Sequence, residues 1–271
     1  MQSRPVGELL RTWRQRRSLS QLDLALRAEV SARHVSFMET GRSKPSREML
    51  LHLAEELDIP LRERNALLVA GGFAPVYPEG SLDAPALQAA REAVDLVLTG
   101  HEPYPALAVD RYWTLVASNR AVGLLLEGVS PELLRPPVNV LRLSLHPDGL
   151  APHIANLGQW RDHVLGRLHR QVDVTGDEKL AALHDELRAL PAPGGGAHAK
   201  GPAHEEFAGV VVPLHLHTRF GLLSLFSTTT VFGTPVDVTL SELAIESFFP
   251  ADRPTAELLR RISSEGQPPD A

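Results

Sequence analysis

Apolar positions in the N-terminal quarter of the chain recur every three or four residues, the period of a helix with one buried face. Leu9, Leu10 and Trp13 mark a first helix, Leu22, Ala25 and Leu26 a second, and Val35 and Met38 a third. Ser20 and Ser31 stand where N-caps belong, each placed to accept from a backbone amide two or three residues on. Asp23, three residues after Ser20, resembles a capping box with a shorter acid. Gly41 ends the third helix, Pro45-Ser46 opens a fourth over 47–57, and Pro60 starts a fifth that stops at Gly71-Gly72. Five short helices predict a compact all-α domain over residues 1–72.

The pattern changes after that. Residues 73–83 hold two prolines, one glycine and little periodicity, and read as a linker. A helix is predicted over 84–98, then a hairpin of strands 107–110 and 113–118 turning at Arg111-Tyr112. Helical patterns follow at 119–126, 138–145, 154–170 and 179–190. Pro191–Pro202, with four glycines and three prolines, reads as a surface loop. Two alternating runs, 210–218 and 222–232, predict an antiparallel pair; 243–249 suits a strand or a helix, and 255–262 a last helix. The expected class is therefore α+β, with a sheet flanked by helices over 84–263 and a disordered tail over 264–271.

Composition narrows the class. At 271 residues and 43% hydrophobic content, one large domain or two can bury a sizeable core. No apolar run approaches the roughly 18–20 residues of a membrane span. Met1–Gly7 leads straight into a charged helix with no apolar signal segment, so a cytoplasmic protein with no membrane partner is expected. The lack of cysteine excludes disulfides and thiolate metal sites and fits a reducing compartment. Net charge is −6, yet residues 1–47 carry ten Lys/Arg against four Asp/Glu, a surplus of +6 that leaves −12 for the rest. A basic head on an acidic body predicts that the head alone meets a polyanion.

The second and third helices, joined by a tight turn, have the arrangement that lays one helix in the major groove of double-stranded DNA. With Val35 and Met38 inward beside Val30, residues 33, 36, 37 and 40 share the opposite face. Arg33 matches a guanine edge in bidentate fashion, and Ser36 reaches a base or a phosphate. Phe37 packs on a thymine methyl or, alternatively, belongs to the core or a dimer surface. Gln21 is placed to donate to phosphate while bracing the third helix. Arg42, Ser43 and Lys44 would track the backbone, adding affinity but no sequence information.

These residues resemble the bacterial and phage Cro/C1-type (XRE-family) helix-turn-helix repressors. The likeness rests on Leu10-x-x-x-Arg14, Leu19-Ser20-Gln21-x-x-Leu24-Ala25, Val30-Ser31, Val35-Ser36-x-Met38-Glu39-x-Gly41-Arg42 and Pro45-Ser46. It implies an interior ion pair between Arg14 and Glu39, and operator-facing positions at Gln21, Ala32, Arg33, Ser36 and Phe37, with Ser31 beside them. One departure matters. Where the family usually has glycine in the interhelical turn, this chain has Glu29, and a positive φ there would cost about 1 kcal/mol.

Residues from about 84 to 252 resemble the ligand-binding domain of MmyB-like transcription regulators, found mainly in actinobacteria. The matching residues are Tyr104-Pro105-Ala106-Leu107-x-Val109-Asp110-x-x-Trp113 with Asn119, Asn139-x-Leu141-Arg142 with His146-Pro147, and Asn156 with Trp160. The longest agreement runs Phe226-Ser227-Thr228, Phe232-Gly233-Thr234-Pro235-x-Asp237-Val238-Thr239-x-x-Glu242-Leu243 and Phe248-Phe249-Pro250-Ala251-Asp252. The resemblance implies a PAS-like sheet flanked by helices around an apolar pocket suited to a fatty-acyl-like molecule.

Candidates for the lining are Trp113, Leu141, Trp160, Phe226 and Phe232, with Asn119, Arg142 and Asn156 as polar anchors. Taken singly, each reads as ordinary core or a structural hydrogen bond; only the group points to a pocket. Among 12 histidines, His215-x-His217 places two imidazoles on one strand face, which is too few for a metal and suits solvent-facing positions. No GxSxG, P-loop, HExxH or GxGxxG arrangement occurs, so neither an enzyme nor a cofactor is expected beyond a fatty-acid-like ligand. The reading is a homodimeric, one-component transcription regulator that binds an operator and senses a small apolar ligand. The competing reading is an antitoxin-like or adaptor protein whose C-terminal domain binds another protein.

Overall fold

A computed structural model of the protein describes residues 4–80, 82, 84–191, 211–233, 235 and 237–265. The chain divides into two compact units, Met1–Ser81 with Gly233–Ser241, and Leu82–Phe232 with Glu242–Ala271. The expected glycine-rich loop after Pro191, with His198 and His204, and residues 266–271 of the expected tail lie outside the described residues.

The first unit holds α1 (Val6–Arg16), α2 (Gln21–Arg27), α3 (Ala32–Glu39), α4 (Arg47–Glu56) and α5 (Leu61–Ala70). Ser20, Ser31 and Ser46 cap α2, α3 and α4 by accepting from the amides of Asp23, His34 and Met49. The Ser20–Asp23 capping box closes in both directions. Leu10, Trp13, Leu24, Val35, Met38, Leu50, Leu53 and Leu67 form one core, each fully buried leucine worth about 2 kcal/mol. Gly7 has a steric reason: a Cβ there would stand 2.5 Å from the Met38 carbonyl, so only glycine lets α1 approach α3 this closely. The expected buried face of α2 needs correcting. Leu22 and Leu26 are 58% and 71% exposed, and the helix instead buries Leu24, Ala25 and the following Ala28. In so short a helix two apolar stripes coexist, and contact with α3 selects one. Residues 73–80 follow α5, where the Asn65 amide donates to the Tyr77 carbonyl and accepts from Val76 and Tyr77.

The second unit is an antiparallel five-stranded sheet in the order β2-β1-β5-β4-β3. It opens with α6 (Gln88–Gly100), β1 (Ala106–Val109) and β2 (Leu115–Ser118). The turn between the strands is set by Asp110, whose carboxylate accepts from the Tyr112 and Thr114 amides. A 3-10 segment (Arg120–Leu126), α7 (Val140–Leu145), a second 3-10 turn (Ala151–His153), α8 (Leu157–Thr175) and α9 (Glu178–Ala189) follow. Then come β3 (Leu214–Thr218) and β4 (Gly221–Val231). α10 (Val238–Ser241) is part of the first unit, where the Val238 amide donates to the Pro78 carbonyl and Val238 is fully buried. β5 (Ala244–Pro250) and α11 (Arg253–Glu265) complete the second unit. The run 243–249, open to either state in the sequence, is a strand because β1 and β4 pair with it on both sides.

Strand alternation divides the second unit's core in two. Leu107, Val109, Leu214, Leu216, Leu223 and Leu225 join Trp160, Val164 and Leu168 of α8 and Leu180, Leu183 and Leu187 of α9. Ala106, Ala108 and Ile245 pack instead with Val94 and Leu98 of α6.

Candidate functional site

In the first unit, α3 keeps Val35, Met38 and Glu39 buried and turns Arg33 outward. Ser36 and Phe37 are half-buried on the same edge, and Thr40 is exposed. The Phe37 ring carries two cations: the guanidinium carbons of Arg33 and Arg42 lie 5.1 and 5.8 Å from its centroid. Phe37 is thus a shelf that orders the two arginines. Gly41, at φ 72°, turns the chain after α3, and the Arg42 amide closes back onto the Phe37 carbonyl at 2.8 Å. That turn brings Arg42 beside the ring and leads into Ser43, half-buried, and Lys44, exposed. Ala32 is half-buried, and Ser31 is exposed at the N-cap.

Behind this edge, Arg14 of α1 meets Glu39 of α3 in a bidentate pair, Nε to Oε1 at 2.6 Å and Nη2 to Oε2 at 2.9 Å. The hydrogen bond to Glu39 raises the Arg14 pKa further above its already high value, outweighing burial. Gln21 of α2 donates to the same Glu39 Oε2 at 2.8 Å, so one carboxylate ties three helices. The ion pair implied by the resemblance is formed, and the Gln21 side chain serves as the brace between the two helices of the motif.

In the second unit, a cavity of about 300 Å³ lies between one face of the sheet and helices α7 and α8. Its walls are apolar: Leu107, Leu115 and Leu214 from the strands, Val122, Leu125 and Leu126 from the 3-10 segment, and Val140, Leu141 and Leu143 from α7. α8 contributes Trp160, His163, Val164 and Arg167, the i, i+3, i+4, i+7 stripe of one helical face. Phe248 and Glu246, alternate residues of β5, and Ser227 of β4 close it from the sheet. Trp113, also in the wall, holds φ at 65°, a backbone state that a bulky residue rarely adopts. Its indole N–H donates to Gln171 Oε1 at 2.8 Å, which fixes the ring.

The polar part of the wall is concentrated. Arg167 donates from Nη1 and Nη2 to both oxygens of Glu246, at 3.1 and 2.6 Å, and from Nη2 to Thr229 Oγ1 at 2.6 Å. Thr229 Oγ1 in turn donates to Glu246 Oε1 at 2.7 Å, and the guanidinium lies 4.5 Å over the Trp113 ring. Trp160 donates to Ser144 Oγ at 2.8 Å and stacks on His163 at 5.5 Å. Burial lowers the His163 pKa, helped by the nearby positive charges of Arg167 and Arg170 and opposed by Glu246, so the imidazole is neutral at pH 7.

Of the eight residues expected around a ligand, the cavity brings together Trp113, Leu141 and Trp160. The other five stand elsewhere, each for an identifiable reason. Phe226 pairs across the ladder with Phe249, on the opposite face of the sheet from Ser227 and Phe248, and stacks on it at 5.4 Å. Phe232, past the end of β4, packs on the α6 core. Asn119 is buried, accepting from Ala106 and donating to the Leu98 and Tyr104 carbonyls. Asn156 accepts from the His215 amide and donates to the Pro213 carbonyl. Arg142 pairs with Glu186 near the surface. Of the two strand histidines, His217 is exposed as expected, but His215 is buried, its backbone held to Asn156 and Ala155. Sequence reasoning missed His163, Arg167, Ser227 and Glu246. Two signals were available, the basic and imidazole residues on the apolar stripe of 160–167 and the single acid inside the apolar run 244–249.

Among the described residues no group of three or more His, Asp or Glu could hold a metal, and no helix is long and apolar enough to cross a membrane. The MmyB-like transcription regulator ligand binding domain family matches residues 90–262, and a helix-turn-helix family matches residues 10–64. Neither is an enzyme family. No curated protein matches. Among solved structures, an RNA-binding Light-Oxygen-Voltage receptor aligns over 95% of this chain at 12% identity with a TM-score of 0.25, and the chain spans 63% of that receptor's length.

Proposed function

The chain belongs to the MmyB-like transcription regulators, DNA-binding proteins with a ligand-binding domain, and on that premise we propose a cytoplasmic one-component sensor in which an apolar ligand modulates operator binding. The ligand is small and fatty-acyl-like, held in the cavity of a PAS-like domain, and the operator is double-stranded DNA read by α3. One observation carries the reading: an apolar cavity of about 300 Å³ lies in the same chain as a helix edge that presents Arg33, Phe37 and Arg42 together. Two copies of the chain would pair their α3 helices on half-sites roughly 34 Å apart, one turn of the duplex. Ligand binding alters operator affinity only by favouring one of two arrangements of the dimer.

The test starts from selection of binding sites out of random duplexes with the full-length protein. A two-fold symmetric sequence is expected. Arg33→Ala should then abolish discrimination between that sequence and random DNA in a gel shift, with the circular dichroism melt unchanged. Lys44→Ala should weaken binding on every sequence and lower the salt slope by about one, as for one lost phosphate contact. Retained discrimination in R33A would overturn the assignment of α3.

A further inference from the structure

Phe37 stands one helical turn after Arg33 and precedes Arg42 across the turn that ends α3. It holds Arg42 by both backbone and side chain. The Phe37 carbonyl accepts from the Arg42 amide at 2.8 Å and from the Ser43 amide at 3.1 Å, and its ring centroid lies 5.8 Å from the Arg42 guanidinium carbon. The Arg33 guanidinium carbon lies 5.1 Å from the same centroid. Among the described residues neither guanidinium has an ion-pair partner or a hydrogen-bond acceptor, so the ring is what holds them. Arginines over other rings are tied down elsewhere as well: Arg17 to the Leu57 and Asp58 carbonyls, Arg167 to Glu246 and Arg219 to Glu127. Two like charges gathered on one ring repel each other, and their N–H donors stay open to an anionic or electron-rich acceptor.

We propose that Phe37 sets operator affinity without touching a base: its ring holds Arg33 and Arg42 as one unit, Arg33 toward a guanine edge and Arg42 toward a phosphate. The inference rests on α3 being the reading helix, and it makes Phe37 a positioning residue in place of a thymine-methyl contact. A free arginine surrenders its rotamer freedom on binding, whereas one already lying on a ring has surrendered much of it. Each such contact at an exposed site contributes a factor of about two to five, and two contacts together about five to thirty. The basic residues on this edge therefore differ in kind. Arg33 and Arg42 depend on Phe37, whereas Lys44 reaches its phosphate without it.

Gel shifts of the whole chain with the operator duplex selected from random sequence test this, at low salt so that weakened complexes stay measurable. Phe37→Leu should weaken operator binding about fivefold to thirtyfold with the circular dichroism melt unchanged. Phe37→Trp, which restores a ring face, should stay within about threefold of the native protein. In the R33A/R42A background F37L should matter less than about twofold, because the side chains it positions are gone. Replacing operator thymines by uracil, one at a time, removes the methyl and keeps the pairing. At no position should that change cost the native protein more than it costs F37L. An F37L variant as tight as native, or one that keeps its full loss in R33A/R42A, overturns the proposal. So does one thymine whose methyl matters to the native protein and not to F37L. Phe37→Met repeats each comparison if F37L fails to fold. Discrimination retained by R33A overturns α3 as the reading helix instead, whatever Phe37 does.

Discussion

Ser18, Glu29 and Asp58 share a left-handed backbone, with φ between 46° and 55°, each one residue past the cap of its helix. Ser and Asp tolerate that region because a short polar side chain can bond locally; glutamate has no such compensation. Glu29→Gly should therefore stabilise the first unit by about 0.5–1 kcal/mol, after allowing for glycine's larger unfolded-state entropy. For a domain of this size that is a rise in Tm of a few degrees. An unchanged or lower Tm in thermal unfolding would contradict the strain. This strain was readable in advance, because the turn's position follows from the helix pattern and glycine is what the turn prefers. The positive φ of Trp113 was not readable, since the pattern marks a turn at Arg111-Tyr112 but no left-handed residue after it; in the structure that turn closes through the Trp113 amide on the Asp110 carbonyl and the Asp110 amide on the Thr114 carbonyl.

At the scale of elements, α9 begins on Asp177, which does two jobs. Its carboxylate caps the helix by accepting from Lys179 at 2.8 Å and Leu180 at 3.4 Å, and it pairs with Arg111, which Glu242 also holds. Burial pushes the Asp177 pKa up, but the amides of Lys179 and Leu180 and the Arg111 charge outweigh it and hold the group below the usual carboxylate range. A depressed folded pKa contributes stability above the unfolded value near 4, and that stability is lost as pH falls through the folded pKa. Asp177→Ala should lower the stability of the second unit by about 2 kcal/mol at pH 7 in urea unfolding, the sum of a lost cap and a weakened ion pair. Asp177→Asn should recover the cap but not the charge, and its deficit should shrink below pH 4. A deficit independent of pH would rule out the ion pair as the cause. Helix limits were well anticipated because caps and apolar stripes are local. The faces of β4 and β5 were not, because both sides of these strands meet apolar neighbours and alternation alone cannot say which side lines a cavity. Phe226 was assigned to the cavity for that reason, whereas its pairing with Phe249 puts it on the other face.

At the scale of the whole molecule, the basic charge is concentrated in one stretch of the first unit, the stretch that forms α1 to α3. The basic surplus lies in residues 1–47, within the unit that carries α3, and the acidic balance lies in the rest. Each unit has cores of its own, so ligand and operator address differently built parts of one chain. A regulator made this way must satisfy reciprocity. If ligand changes operator affinity by some factor, operator changes ligand affinity by the same factor, because both paths around the cycle reach the same ternary complex. The expected factor is about 5 to 150, which is 1–3 kcal/mol of coupling. Affinity for decanoate, a fatty-acyl probe, measured by calorimetry with and without saturating operator duplex should shift by the ratio that decanoate produces in operator affinity by gel shift. Reciprocity leaves the sign free but requires the two ratios to agree. Equal decanoate affinities in the presence and absence of operator would mean that the cavity and α3 are thermodynamically independent. The chain would then bind DNA and ligand without sensing one through the other, whatever the affinity of each.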